Sequence, residues 1–138
     1  MTIGIELGSI TDEIGTSDFF FAFFSTISGN LEPKGRGSRF PVLMEKLYKG
    51  EVAQGDAVKA LSELEIVNKE LASLSVDKVI WDIQDRKKMP PWGNNISPDI
   101  TNLSNYFVTS SGRDFMFSLK EIFEELRDRG GLAKVVQI

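Results

Sequence analysis

Residues 19–30 read FFFAFFSTISGN, and this phenylalanine-rich stretch sets the expectation for the fold. Apolar residues here recur at spacings of three and four, which places them on one face of an α-helix. The residues on that face are Phe20, Phe23, Phe24, Ile27 and Leu31. Phe19 and Phe21 widen it, so we expect a mostly buried helix with Ser17 or Asp18 as its N-cap. The same aromatic cluster would suit a ligand pocket, but core packing is its commoner use.

Three further helices and up to four strands are predicted from hydrophobic spacing along the rest of the chain. The predicted helices cover residues 40–48, 56–74 and 115–126, and the predicted strands cover residues 2–7, 76–83, 105–109 and 134–138. The order β-α-α-α-β-β-α-β indicates an α+β fold, with mixed α/β as the alternative. We expect a single domain over residues 1–138, in which about four helices cover a small three- to four-stranded sheet.

Finer expectations concern the helix from Asp56 to Leu74, the last helix and one connector. The apolar face of the 56–74 helix is predicted from Val58, Leu61, Leu64, Val67, Leu71 and Leu74, and its solvated face from Lys59, Glu63, Lys69 and Glu70. Ser111 and Asp114 resemble a capping box before the last helix. Residues 32–38 are polar and glycine-rich but lack the spacing of a phosphate-binding loop, so we interpret them as a mobile connector.

The composition excludes several kinds of chemistry, because the chain contains neither cysteine nor histidine. Disulfides, thiolate nucleophiles, histidine-based triads and conventional zinc sites are therefore ruled out. We expect no cofactor and consider an enzyme the less favoured class. The sequence shows no signal peptide and no window near the roughly 20 apolar residues of a membrane span, so we expect a cytoplasmic protein without a membrane partner.

The net charge is −4, with 20 acidic and 16 basic residues. Nucleic-acid-binding proteins normally carry a basic surface, because phosphate neutralisation supplies much of their affinity. The acidity therefore argues against a nucleic-acid partner and favours a basic protein partner, whose approach it would steer. The alternative is that a mildly acidic chain is simply a soluble one.

The segment from Asp82 to Asp114 holds the candidate functional residues, since long irregular loops in compact domains are often functional. Trp92 lies between two prolines and a glycine, where it is either a binding anchor or a plug at the edge of the core. The polar candidates near it are Asp82, Asp85, Asn94, Asn95 and Asp99. Their oxygens could bind a hard cation or support acid–base chemistry, but ordinary Asx turns explain the same residues.

Five segments of the chain resemble the immunity protein 70 family, which is found beside toxin genes in bacterial polymorphic-toxin loci. They are Gly8-Ser9-Ile10-Thr11-Asp12-Glu13-Ile14-Gly15; Gly37-Ser38-Arg39-Phe40-Pro41-Val42-Leu43-Met44; Leu47-Tyr48-Lys49-Gly50-Glu51; Asp77-Lys78-Val79-Ile80-Trp81-Asp82-Ile83; and Pro90-Pro91-Trp92-Gly93-Asn94-Asn95-Ile96-Ser97. Residues 101–109 continue the last segment, so the resemblance covers most of the chain.

The resemblance implies a stoichiometric inhibitor that protects its producer from a cognate toxin, with no reaction, no cofactor and no assigned functional residues. If the toxin is a nuclease, its substrate-binding surface is basic, and an acidic inhibitor could occupy it. The alternatives from other classes are a small carboxylate-dependent enzyme and a ligand-binding or scaffold domain. The sequence leaves the oligomeric state open.

Overall fold

A computed structural model describes all residues from Met1 to Ile138. Its four strands form one antiparallel sheet in the order β2-β1-β4-β3. The elements in chain order are β1 (Thr2–Leu7), β2 (Ile10–Thr16), α1 (Ser17–Leu31), β3 (Glu51–Ala53), α2 (Ala57–Leu71), α3 (Phe115–Arg129) and β4 (Leu132–Gln137). A six-residue π-helical segment, Val42–Leu47, lies where the second helix was expected. The α+β class and the four-stranded sheet are confirmed.

The first two strands form a hairpin that the sequence reading missed. Gly8 and Ser9 connect Leu7 to Ile10, and Gly8 has a φ of 63°, at the position where type II′ turns carry glycine. A β-bulge opposite Ile3 and Gly4 adds one residue to β2. The bulge lets Ile14 reach the core, although the strand before it is largely exposed.

The phenylalanine-rich helix α1 is confirmed, and it is mostly buried as expected. Its N-cap is Thr16 rather than Ser17 or Asp18, because the Thr16 hydroxyl accepts a hydrogen bond from the Phe19 amide at 3.1 Å. The Phe23 ring lies edge-on to Phe107 and Phe115, with centroids at 5.3 and 4.7 Å. These contacts join α1 to α3 and to the segment before it, so aromatic packing holds the layers together.

Helix α3 begins and ends at residues that the sequence only partly indicated. The N-cap is Asp114, whose carboxylate accepts a hydrogen bond from the Met116 amide at 3.2 Å, and Ser111 has no part in that cap. Gly130 ends the helix with a φ of 84°, as expected for a glycine after the last turn. None of the helices is long and apolar enough to cross a membrane.

Two predicted strands, residues 76–83 and 105–109, are absent. Polar side chains of α1 bind the backbone of the first segment instead. The Thr26 hydroxyl donates to the Ile80 carbonyl at 3.2 Å and accepts from the Ile80 amide at 3.1 Å. The Ser25 hydroxyl accepts from the Ile83 amide at 3.2 Å. In the second segment only an isolated bridge joins Val108 to Asp114.

The predicted apolar face of helix α2 is confirmed at Leu64, Val67 and Leu71, but two residues of its first half were assigned to the wrong faces. Val58, expected in the core, is 63% exposed, whereas Glu63, expected on the solvated face, is 5% exposed. The Glu63 carboxylate accepts hydrogen bonds from the amides of Val42 and Leu43, at 3.2 and 3.0 Å. Those amides start the π-helical segment and need an acceptor, which the buried glutamate supplies.

A second buried carboxylate, Glu32, organises the connector between α1 and the π-helical segment. It accepts hydrogen bonds at 3.1 Å from the amides of Gly37, Arg39 and Phe40. Arg39 in turn pairs with Glu70 of α2. The glycine-rich stretch is therefore tied to a buried acceptor along its second half.

We predict that Thr26→Val lowers the free energy of unfolding by about 2–5 kcal/mol, because two buried backbone groups of Ile80 lose their partner while the side-chain volume is nearly kept. Urea denaturation measures the change. Thr11→Val, on the exposed part of β2, is the matched control and should stay within about 0.5 kcal/mol of the parent. Equal stability of the Thr26→Val variant and the parent would contradict the assigned role.

A second prediction concerns pH. Burial raises the pKa of Glu63 above its ordinary value of 4.5, and hydrogen bonds from Leu43 and Val42 offset part of that rise. The folded state therefore holds this proton more tightly than the unfolded chain does, and the glutamate's contribution to stability falls as the pH rises above 4.5 and through the folded pKa. The difference in unfolding free energy between the parent and Glu63→Gln should therefore shrink or reverse over that window. A difference that is constant from pH 4 to pH 7 would contradict this account.

Candidate functional site

The segment between α2 and α3 is held to the core by a chain of aromatic contacts. Trp81 is buried, and the Trp92 ring lies edge-on to it at a centroid distance of 5.3 Å. The Trp92 indole nitrogen donates a hydrogen bond to the Tyr106 hydroxyl at 2.8 Å. Tyr106 in turn contacts Phe107 at 5.1 Å. The contacts therefore lead from the surface at Trp92 to the phenylalanine core.

Trp92 packs at the edge of the core, and part of its side chain remains exposed. Its ring packs on Trp81 and its nitrogen is bound by Tyr106, yet 37% of the residue is exposed. Burial raises the pKa of Tyr106, and the hydrogen bond from Trp92 offsets part of that rise. The tyrosine is therefore a neutral, fixed support, and the exposed part of the indole is presented in one orientation.

The polar candidates around Trp92 lie mostly at the surface, in turns. Asp82 is partly buried, accepts from the Gln84 amide at 2.9 Å and pairs with Lys88 at 3.4 Å. Asp85 accepts from the Lys87 amide at 3.2 Å. Both aspartates thus make local Asx-type contacts that shape the backbone before Trp92.

The other three candidates, Asn94, Asn95 and Asp99, are exposed. The Asp99 carbonyl accepts a hydrogen bond from the Asn105 side chain at 3.1 Å, which closes the loop on itself. No three acidic side chains of the chain come close enough together to share a metal ion. The aspartates are therefore distributed along the segment and do not converge on one point.

A cavity of about 300 Å³ opens beside Trp92. Of the predicted residues, only Trp92 and Asn95 line it. The other lining residues are Phe19, Ile96, Ser97, Ile100, Tyr106 and Val108. Phe19 belongs to α1 and the rest to the segment, so residues distant in sequence form one apolar pocket. In the sequence, this pocket is indicated only by Ile96 and Ile100, two apolar residues four positions apart in a polar loop.

Larger grooves lie elsewhere on the surface, and two of them involve α3. The groove between α2 and α3 has a volume of about 670 Å³ and is bordered by side chains of both charges, including Glu65, Lys120 and Glu124. The groove between the β1–β2 hairpin and α3 has a volume of about 500 Å³ and contains the ion pairs of Arg113 with Asp12 and Glu121. The charges of this second groove are already paired with one another, so they offer a partner less than an apolar pocket does.

The net charge of the chain is concentrated at one end of the sequence. Residues 1–31 contain four acidic side chains and no lysine or arginine, whereas residues 32–138 contain sixteen of each sign. Residues 82–99 are neutral, because Arg86, Lys87 and Lys88 balance their three aspartates. The acidity that was expected to attract a basic partner therefore belongs to the hairpin and to α1, which contributes Phe19 to the pocket, rather than to the Trp92 loop.

Comparison with known proteins gives one match. The sequence profile described as immunity protein 70 matches residues 5–135. No curated protein and no solved structure matches the chain. The matched range contains all four strands, at least in part, and all three α-helices, as well as the Trp92 segment and its pocket. The chain belongs to the immunity protein 70 family, which implies an immunity protein that acts against a toxin.

Proposed function

We propose that this protein binds a cognate bacterial polymorphic toxin and neutralises it stoichiometrically, in the cytoplasm of the cell that produces both. The match to the immunity protein 70 family over residues 5–135 carries the proposal. The chemistry of the chain supports it, because a protein without histidine or cysteine is poorly equipped for turnover, whereas a shaped, rigid surface suffices for inhibition.

We further propose that the toxin-binding surface includes Asp82, Asp85, Trp92, Asn94, Asn95 and Asp99. The support for it is pre-organisation. The indole of Trp92 is held by Trp81 and Tyr106, and short turns hold the aspartates, so binding would freeze few additional side-chain rotamers. A partly exposed tryptophan ringed by polar groups also has the usual composition of an energetic centre in an interface.

The partner is proposed to present a basic face, and a nuclease is the proposed toxin class. A nuclease must attract phosphate, so its substrate-binding surface carries lysine and arginine. On the immunity protein, the observation that supports a basic partner is the net charge of −4 and its concentration in residues 1–31. Acidic side chains on the inhibitor would speed association with such a surface and could occupy the positions of phosphates.

The proposal of stoichiometric binding predicts a sharp endpoint. Titrating a fixed amount of the toxin encoded beside this gene with purified protein should reduce toxin activity linearly, to zero at a fixed molar ratio. Continued loss of toxin activity at a dose tenfold below the molar amount of toxin would mean turnover and would overturn the binding mechanism. A toxin that keeps its activity at any dose, with no complex on co-purification, would overturn the proposed function itself.

The proposed surface predicts that Trp92→Ala weakens toxin binding about 30-fold or more, as expected of a central aromatic anchor. Because the residue is 37% exposed, the free energy of unfolding should fall by less than the roughly 3–5 kcal/mol lost on truncating a fully buried aromatic.

Asp85→Asn combined with Asp99→Asn should slow association with little change in thermal stability.

Phe117→Ala is the matched control for this experiment, because Phe117 is a more exposed aromatic residue that lies in the groove between α2 and α3. Calorimetry and thermal unfolding on the same samples separate affinity from stability. Loss of affinity in Phe117→Ala and not in Trp92→Ala would move the interface to the α2–α3 groove.

A further inference from the structure

The pocket beside Trp92 is apolar inside and open to solvent at its rim. Phe19 and Tyr106 are buried within it, whereas Val108 is 42% exposed and Trp92 is partly exposed. Ile96 and Ile100 are partly buried and complete the apolar lining. A hydrophobic concavity of this kind, with exposed apolar residues at its rim, is the expected counterpart of a protruding side chain.

The interior of the pocket favours an apolar occupant. The hydroxyl of Tyr106, the buried polar residue of its lining, is already bound by the Trp92 indole. No buried side-chain nitrogen or oxygen of the chain lacks a hydrogen-bond partner, so the polar side chains left to a ligand here are the exposed Asn95 and Ser97. A polar group that entered would lose its hydrogen bonds to water without replacement.

The volume favours a small occupant. Small-molecule sites in proteins usually enclose roughly 300–1,000 Å³. At about 300 Å³, and open on one side, this pocket lies at the lower end of that range. It suits one large aliphatic or aromatic side chain better than a nucleotide or another extended cofactor.

Acidic groups lie next to the pocket residues along the chain. Asp18 precedes Phe19, and Asp99 precedes Ile100. The Glu13 carboxylate accepts a hydrogen bond from the Ser110 hydroxyl, two residues beyond Val108. The basic residues of the segment are already paired where they come near: Arg113, five residues after Val108, pairs with Asp12 and Glu121, and Lys88, before Trp92, pairs with Asp82.

We propose that this pocket receives a single apolar side chain of the toxin, presented on a surface of lysine and arginine residues. The inference rests on the proposed function and specifies its chemistry. The apolar side chain fills the space between Trp92, Tyr106 and Val108, and the basic residues around it face Glu13, Asp18 and Asp99. The pocket supplies the short-range fit and the acidic groups supply the attraction at long range.

The first test blocks the pocket. Val108→Lys places a long cationic side chain at the rim, at an exposed position where substitutions usually change stability little. Affinity for the purified toxin should fall about 30-fold or more, the size expected for loss of a central anchor. Val58→Lys, at an exposed valine of α2 outside the pocket, is the matched control and should leave affinity unchanged.

The second test identifies the toxin's side chain. Each exposed aliphatic or aromatic residue of the toxin is changed to alanine and titrated against the parent and against Val108→Lys. One toxin variant should lose affinity for the parent yet show little further loss against Val108→Lys, because both changes remove the same contact. Full additivity for every toxin variant would overturn the proposal.

The third test concerns charge. Glu13→Gln combined with Asp99→Asn should slow association severalfold at low ionic strength, and the effect should disappear at high salt. Glu51→Gln combined with Glu65→Gln removes the same charge elsewhere and should slow association less. Equal slowing by both pairs of substitutions would contradict the proposal that the acidic groups next to the pocket attract the toxin.

The remaining outcomes separate the pocket from the function. If the parent binds the toxin and Val108→Lys binds it equally well, the pocket inference fails while the proposed function stands. If Val108→Lys instead changes only the oligomeric state measured by light scattering, the pocket serves self-association and the inference is overturned. If the parent fails to bind the toxin, the proposed function fails first.

Discussion

The hydrogen bonds between the Thr26 hydroxyl and the backbone of Ile80 support the rest of the site. The chain between α2 and α3 has no strand and no α-helix, so its backbone groups need partners from elsewhere. Thr26, fully buried on a helix otherwise dominated by phenylalanine, satisfies both the amide and the carbonyl of Ile80. Trp81 follows directly, Trp92 packs on Trp81, and the pocket depends on Trp92. The Thr26 hydroxyl on α1, together with Ser25, therefore fixes the start of the segment that carries the proposed binding surface.

In the first half of the molecule, buried carboxylates likewise bind the backbone of an irregular segment. Glu32 and Glu63 together accept five backbone amides between Gly37 and Leu43. A buried carboxylate is costly unless it is hydrogen-bonded, and these two are bonded to donors that would otherwise be unpaired. In both halves of the chain, a polar side chain in the core replaces the hydrogen bonds that regular secondary structure would have made. The irregular segments are thus ordered from within, which suits a protein proposed to act through a rigid surface.

The parts of the fold that could be predicted are those with strong local patterns. The spacing of Phe20, Phe23 and Phe24 predicted α1, and the last helix was predicted from equally regular spacing. Strand β2 was missed because an edge strand with an exposed face lacks a clear alternation, and β3 has only three residues. The alternation of Val79, Trp81 and Ile83 is real, but the hydroxyls of Ser25 and Thr26 take the backbone that a neighbouring strand would have paired.

The position of Trp92 in the candidate site followed from its prolines and glycine, whereas the pocket did not. Phe19 and Tyr106 are 87 residues apart in the sequence, and only the fold brings them together. The location of the net negative charge could be predicted by counting charged residues in the sequence, because residues 1–31 carry all of it. What no local pattern shows is that this end of the chain folds beside the Trp92 segment.

The central claim is that the surface formed by Trp92 and its pocket binds the toxin. Amide hydrogen exchange, measured across the whole chain with and without the toxin, tests it most directly because it requires no substitution. The account predicts slower exchange in the complex for residues 92–109, with little change at β3, on the far edge of the sheet. Slower exchange confined to α2 and α3, with residues 92–109 unchanged, would contradict it.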